Sequence, residues 1–249
     1  MEAGLRTGNK YSPYPEEMNR KLTGAIADMH FAPTSTSKAN LLKENICPEQ
    51  ILVTGNTVID ALQTTVKEGY RFEDEEFNKV FASGHRLILM TTHRRENLGE
   101  PMRHVYRALK SVLEAHPDVE AIFPVHKNPK VREIVREELG HLDRVHLIEP
   151  MEYEPFANLM AKVDIVLTDS GGIQEEAPAL GKPVLVLRDT TERPEAVEAG
   201  TVKLVGTAYD DVLRETICFW MMPSIIAPWR RLPIPMVTAR PASVLSMLF

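Results

Sequence analysis

Cysteine is nearly absent. Cys47 and Cys218 are the only two in 249 residues, far apart and without metal-ligand spacing, which excludes a disulfide framework and a thiolate metal centre. A surplus of positive charge is missing as well: the formal net charge is −6, and lysine and arginine are scattered, so nothing suits a nucleic acid partner. No window approaches the ~20 apolar residues of a membrane span. The longest candidate, residues 217–229, is interrupted by Pro223 and Pro228, so no membrane partner is expected. No N-terminal apolar signal segment is seen either, and the sequence predicts a protein of the reducing cytoplasm. No G-x-G-x-x-G occurs, so NAD is not implied, and the eight histidines show no paired spacing with carboxylates. No cofactor and no metal are expected.

What is present is strand and helix in alternation. "RLILMTT", "EAIFPVH", "RVHLIEP", "DIVLTDS", "KPVLVLRD" and "VKLVG" are short aliphatic runs between residues 86 and 205, separated by helical or turn segments. Residues 102–115 and 130–139 carry apolar positions at helical spacing. Continuous apolar runs mark strands buried on both faces, so an α/β fold with a doubly wound parallel sheet follows. Upstream, residues 15–29 and 35–45 read as helices, with short strands at "HFAPT" and "ILVTG". Two strands cannot bury two faces, and residues 1–54 are expected to be the end of a domain whose beginning precedes Met1.

Between residues 167 and 184, "LTDSGGIQEEAPALGKPV" runs from a strand through Ser170, Gly171 and Gly172 into a helix, an arrangement that offers backbone N–H groups to a phosphate. Glu175 and Glu176 follow at once. Read from the residues alone, phosphate binding and an ordinary helix start with dipole-favouring acids stand level.

Six segments, in order, resemble the non-hydrolysing UDP-N-acetylglucosamine 2-epimerases of bacteria: "EAGLRTGNKYSPYPEEMNRKLTG", "HFAPTSTSKANLLKEN", "TGNTVIDAL", "THRRENLGEPM", "FPVHKNP" and "LTDSGGIQEEAPALGKPVLVLRDTTERPEAVEAGT". The resemblance covers about residues 1–216. It implies the two-domain GT-B architecture, with residues 1–54 the remnant of an N-terminal Rossmann-like domain and residues 55–216 a C-terminal Rossmann-like UDP-binding domain. The implied activity is conversion of UDP-N-acetylglucosamine to UDP-N-acetylmannosamine, by elimination and re-addition of UDP through 2-acetamidoglucal. Such enzymes serve cell-surface polysaccharide synthesis and are usually homodimers. By this resemblance Ser170, Gly171 and Gly172 hold the diphosphate, Glu176 the ribose hydroxyls, Phe156 the uracil and Arg193 the phosphates. Glu2, Glu16 and His93 match catalytic positions, and Arg94 and His126 match contacts to a second UDP-N-acetylglucosamine acting as activator.

Without the resemblance, Glu16 reads first as a first-turn glutamate after Pro15, Glu2 as a terminal charge and Arg193 as a surface ion-pair partner, and Phe156 at least as readily as a core aromatic. Glu175, 100° around the helix from Glu176, is expected to face elsewhere. A basic loop and a third acid/base carboxylate of the family would precede Met1, so the chain is expected to be an inactive fragment. The alternatives are a non-catalytic UDP-binding remnant, a hydrolysing epimerase or a GT-B glycosyltransferase.

Residues 217–249 form a third, anomalous segment. They contain no Asp, Glu, Lys, Gly, Asn or Gln, yet hold both tryptophans, four of 11 methionines and five of 18 prolines. Composition alone would place roughly four or five acids there. The genetic code offers a reason. Joining the last base of each codon to the first two of the next turns Trp220-Met221-Met222-Pro223 into Asp-Asp-Ala and Met236-Val237 into Gly. Codon choices open to residues 233–248 then spell NPYGDGKASERIVDA, the stretch with which the family continues. This tail is expected to be read out of frame, and its apolar residues to pack poorly.

Overall fold

The structure is a computed structural model that describes residues 2–221. Most of the anomalous tail, residues 222–249, therefore lies outside the described residues, as does its expected poor packing.

The chain opens with α1 (Glu16–Ile26), β1 (His30–Ala32), α2 (Ser35–Lys43) and β2 (Ile51–Val53). β1 and β2 pair in parallel, and Glu2 bridges to His30. Thr34 starts α2 by accepting a hydrogen bond from the Ser37 N–H. The helix stops short of its expected end because Asn45 takes a left-handed φ of 64°, which asparagine tolerates better than most residues. α3 (Thr57–Thr65) and α4 (Glu75–Ala82) lead into the larger sheet.

That sheet holds β3 (Arg86–Thr91), β4 (Val119–Pro124), β5 (Val145–Ile148), β6 (Ile165–Thr168), β7 (Val184–Val186) and β8 (Val202–Leu204). Every pairing is parallel, in the order β5-β4-β3-β6-β7-β8. The first three strands are laid down in one direction from β3 and the next three in the other. Strand order thus reverses between β3 and β6, and the crevice beyond the carboxyl ends of those two strands is where open α/β sheets bind ligands.

The remaining helices are α5 (Glu100–Ala115), α6 (Pro129–Leu139), α7 (Tyr153–Lys162), α8 (Ile173–Ala179), α9 (Pro194–Glu198) and α10 (Tyr209–Met221). Period-two alternation divides the strand residues between two cores. Ile88, Met90 and Phe123 pack with α5, α6 and α10, while Leu87, Leu89 and Ile122 pack with α3, α4, α7 and α8. Gly99, with φ of 91°, turns the chain from the loop after β3 into α5, a conformation costly for any residue with a Cβ. At the other end, α10 continues into the anomalous segment, and Phe219 is buried. Among the described residues no helix is long and apolar enough to cross a membrane.

Candidate functional site

The loops after β3 and β6 meet at the point of strand reversal, and Asp169 joins them. Its fully buried carboxylate accepts from the backbone N–H of His93 (2.9 Å to Oδ2) and of Arg94 (2.9 Å), and from Asn97 Nδ2 (3.3 Å). His93 Nδ1 lies 3.1 Å from Oδ1 of the same carboxylate. The His93 ring stacks on His126, with centroids 5.8 Å apart and planes at 24°.

Beyond Asp169 the chain turns into α8. The Ser170 N–H donates to Thr168 Oγ1 (2.9 Å), and the N–H groups of Glu175 and Glu176 both go to the Gly172 carbonyl. The N–H groups before them belong to the first turn and have no partner within the helix. Gly171 is required by a close approach: a Cβ there would meet Arg193 Nη1 at 2.8 Å and Glu192 Oε1 at 3.0 Å. At Gly172 the nearest atom would be Glu176 Oε2 at an ordinary 3.6 Å.

Arg193 enters α9 as its N-cap residue and is buried behind this turn. Its Nε pairs with Glu175, and its Nη1 lies 2.9 Å from Glu192 Oε1 without a hydrogen-bond partner. Burial works against the Arg193 charge, and Glu175 and Glu192 outweigh it, so the proton is held more tightly than usual. Glu192 is a hub, contacting Arg188 at 3.1 Å and Arg20 at 3.5 Å as well. Burial alone would raise its carboxyl, but Arg193, Arg188 and Arg20 hold it at about 2. Three buried guanidinium nitrogens around this hub have no hydrogen-bond partner: Arg20 Nη1, Arg188 Nη2 and Arg193 Nη1. Their charge is answered by Glu192 and, at Arg193, by Glu175 as well.

Burial raises Glu176 above the ordinary carboxylate range; a hydrogen bond from Tyr153 opposes this and the charge of Glu175 adds to it. Tyr153 is pushed up to about 12 by desolvation and by Glu176.

The N-terminal segment closes on the site through charge. Arg94 Nη1 meets Glu16 Oε1 at 3.2 Å, Arg20 reaches Glu192, and Thr34 donates to Glu195 (2.7 Å). Glu2 is buried, with both oxygens 3.1 Å from the Arg6 guanidinium and the Gly4 N–H at 2.9 Å. Glu44 holds Arg6 from the other side at 2.8–2.9 Å. Glu2 also lines a cavity of about 520 Å³ together with Arg20 and Asn56, and Asn56 caps α3 while donating to Glu175.

The structure therefore brings His93, Arg94, His126 and Glu16 together, although the resemblance divides them between catalysis and activation. Ser170, Gly171, Gly172, Glu176 and Arg193 form a second group on the adjoining loop. Phe156 sits half-buried on α7, packed against one core. Glu2 reaches this ensemble only through its cavity and Arg20. Sequence reasoning set Glu175 aside, yet it is the partner of Arg193: the side chain turned 100° from Glu176 is met by an arginine 18 residues on. Asp169, Glu192, Arg20 and Tyr153 were not singled out either. Among the described residues no cluster of three or more histidine, cysteine or carboxylate side chains is arranged to hold a metal.

A parallel sheet reversing between β3 and β6, with a helix mouth on one loop and histidines on the other, defines an open α/β protein that takes its ligand at the switch point. The family model for UDP-N-acetylglucosamine 2-epimerase matches residues 1–221, and the chain belongs to that family. It is 59% identical over 212 residues to the UDP-N-acetylglucosamine 2-epimerase of Bacillus subtilis, covering 85% of this chain and 55% of the relative. To the Escherichia coli K12 enzyme of the same name it is 52% identical over 221 residues, covering 86% and 58%. The S. aureus MnaA–UDP co-structure superposes with a TM-score of 0.94 at 43% identity, over 99% of this chain and 66% of that one. The Neisseria meningitidis enzyme bound to UDP-GlcNAc does so with 0.90 at 44%, over 100% and 68%. The fold is GT-B-like, and the chain spans little more than half the length of the curated relatives it matches.

Proposed function

We propose that these residues bind UDP-N-acetylglucosamine and belong to the machinery that inverts carbon 2 of its sugar, giving UDP-N-acetylmannosamine. The observation that carries this is the seating of the Arg193 guanidinium against Gly171 at the mouth of α8, where the first-turn N–H groups have no partner within the helix. The diphosphate takes that mouth. Glu176, in the first turn of α8, accepts the two ribose hydroxyls, and Phe156 on α7 lies against the uracil.

The chemistry then assigns the rest. Loss of the proton on carbon 2 accompanies departure of UDP from carbon 1 and leaves 2-acetamidoglucal. Re-addition of UDP delivers a proton to carbon 2 from the opposite face. Two faces require more than one acid/base group, a task suited to Glu2, Glu16 and His93. Because that proton is weakly acidic, stabilising the UDP leaving group at Arg193 and the helix mouth carries much of the barrier reduction. Arg94 and His126, which touch Glu16 and His93, serve a second UDP-N-acetylglucosamine as activator. We place the reaction in the cytoplasm, supplying cell-surface polysaccharide, with residues 1–54 and 55–216 as the parts of two Rossmann-like domains.

A second reading is favoured by coverage, since the chain spans about 55–58% of its curated relatives. On that reading the 249 residues alone hold UDP without turnover. Calorimetric titration with UDP, followed by NMR of carbon-2 exchange in deuterated water, separates the two. Binding without deuterium incorporation is expected of this chain. Incorporation above a no-enzyme control overturns the second reading, and absence of UDP binding overturns both.

A further inference from the structure

We propose that Asp169 is the positioning residue of His93, holding the imidazole as its Nδ1–H tautomer and leaving Nε2 as the nitrogen free to exchange a proton. The inference deepens the proposed function and rests on it only for what the proton is used for.

Asp169 has no exposed surface, and a buried carboxylate is tolerated where donors surround it. The His93 N–H, the Arg94 N–H and the Asn97 amide all donate to Oδ2, and the His93 N–H also reaches Oδ1 at 3.1 Å. Oδ1 faces the His93 ring, with Nδ1 at 3.1 Å. An unprotonated Nδ1, carrying partial negative charge, is repelled by a negative oxygen at that distance, whereas an N–H there is attracted. The backbone bonds from residues 93 and 94 fix the carboxylate relative to the ring, so Asp169 cannot turn away without leaving two part-buried N–H groups unpaired. One buried side chain thus fixes the loop after β3, the ring's position and its tautomer together.

Asparagine at 169 makes a sharp test because it keeps the shape and removes one acceptor. Its carbonyl oxygen must take the Oδ2 place to satisfy the backbone donors. Its NH2 then occupies the Oδ1 place and donates to Nδ1 of His93, which must accept, and the ring proton moves to Nε2. The same logic governs the histidine of serine-protease triads when its aspartate becomes asparagine.

The experiment uses the full 249-residue chain labelled with 15N, recorded by long-range 1H–15N correlation at about pH 8.5, two units above the ordinary histidine value. His93→Gln assigns the His93 signals by their loss. The wild-type ring is expected to show a protonated Nδ1 and a pyridine-like Nε2, and Asp169→Asn is expected to exchange the two patterns. A protonated Nε2 in the wild type overturns the proposal, as does an unchanged tautomer in a folded Asp169→Asn chain. Should that variant not fold, the wild-type pattern decides alone. No turnover is needed: failure of the functional reading appears as absent UDP binding with the tautomer intact, and failure of this inference as UDP binding with the other tautomer.

Discussion

Gly171 and Gly172 stand side by side at the mouth of α8, and the structure gives them different tasks that alanine separates. A methyl group at 171 would sit 2.8 Å from Arg193 Nη1 and 3.0 Å from Glu192 Oε1. Neither side chain yields cheaply, because Arg193 is clasped by Glu175 and Glu192, and Glu192 by three arginines. Gly171→Ala is therefore an overpacking change, expected to cost about 1–3 kcal/mol. For a chain of this size that lowers Tm by roughly 2–12 °C. At Gly172 the added methyl meets nothing closer than 3.6 Å, and the residue already has helical dihedrals of −64° and −44°. Alanine there is expected to hold or raise stability by up to about 1 kcal/mol, since it narrows the unfolded ensemble without strain. Yet Gly172 is exposed at the mouth, where the proposed function brings the diphosphate to the backbone, so Gly172→Ala should weaken UDP binding. Urea denaturation and UDP calorimetry on both variants read the two effects. Equal stability of the two variants would refute the packing argument, and wild-type UDP affinity in Gly172→Ala would refute the placement of the phosphates.

The large sheet was legible because its strands are buried on both faces: runs such as Leu87 to Met90 declare themselves without any partner in view. The boundary of α2 was less so, since Asn45 ends it by a backbone conformation that composition does not announce. Within the candidate site, the glycine-rich turn into α8 was legible because strand, turn and helix lie contiguous in sequence, whereas Glu176 was marked only by the family resemblance. Periodicity failed at Glu175. A helical-wheel argument sends its side chain away from Glu176 correctly, but says nothing of Arg193 arriving from another loop to meet it. The hub at Glu192 was out of reach for the same reason: Arg20 lies 172 positions upstream, and pairing of charges across such separations follows from the fold, not from spacing. Asp169 was visible only as one letter of a motif, because its donors come from residues 93, 94 and 97.

Glu176→Ala should weaken UDP binding by about 1.5–3 kcal/mol, the worth of hydrogen bonds to a charged group. Unchanged affinity by calorimetry would remove Glu176 from the ribose site. Acid should destabilise the fold through Glu192, whose carboxyl is depressed to about 2. A depressed carboxyl contributes stability that is present above its ordinary value near 4.5 and is lost as pH falls towards 2, here on the order of 3 kcal/mol. Glu192→Gln should flatten that part of a denaturation-against-pH curve, and an identical curve would count against the hub. The last prediction concerns the reading frame. On α10 the buried positions Val212, Thr216 and Phe219 recur at helical spacing, so a core-facing pattern persists as far as Phe219. The forced Asp-Asp-Ala begins with the last base of the Trp220 codon. The end of the acids at Glu215 and the forced triplets at Trp220 bracket the junction between Thr216 and Trp220. A chain that loses every acidic residue at one point, while its codons permit in the neighbouring frame fifteen consecutive residues of the continuation the resemblance implies, is better explained by one misplaced base than by selection of a new tail. Sequencing the gene across those codons is expected to show the motif in the shifted frame. An intact frame whose codons forbid it would end the idea.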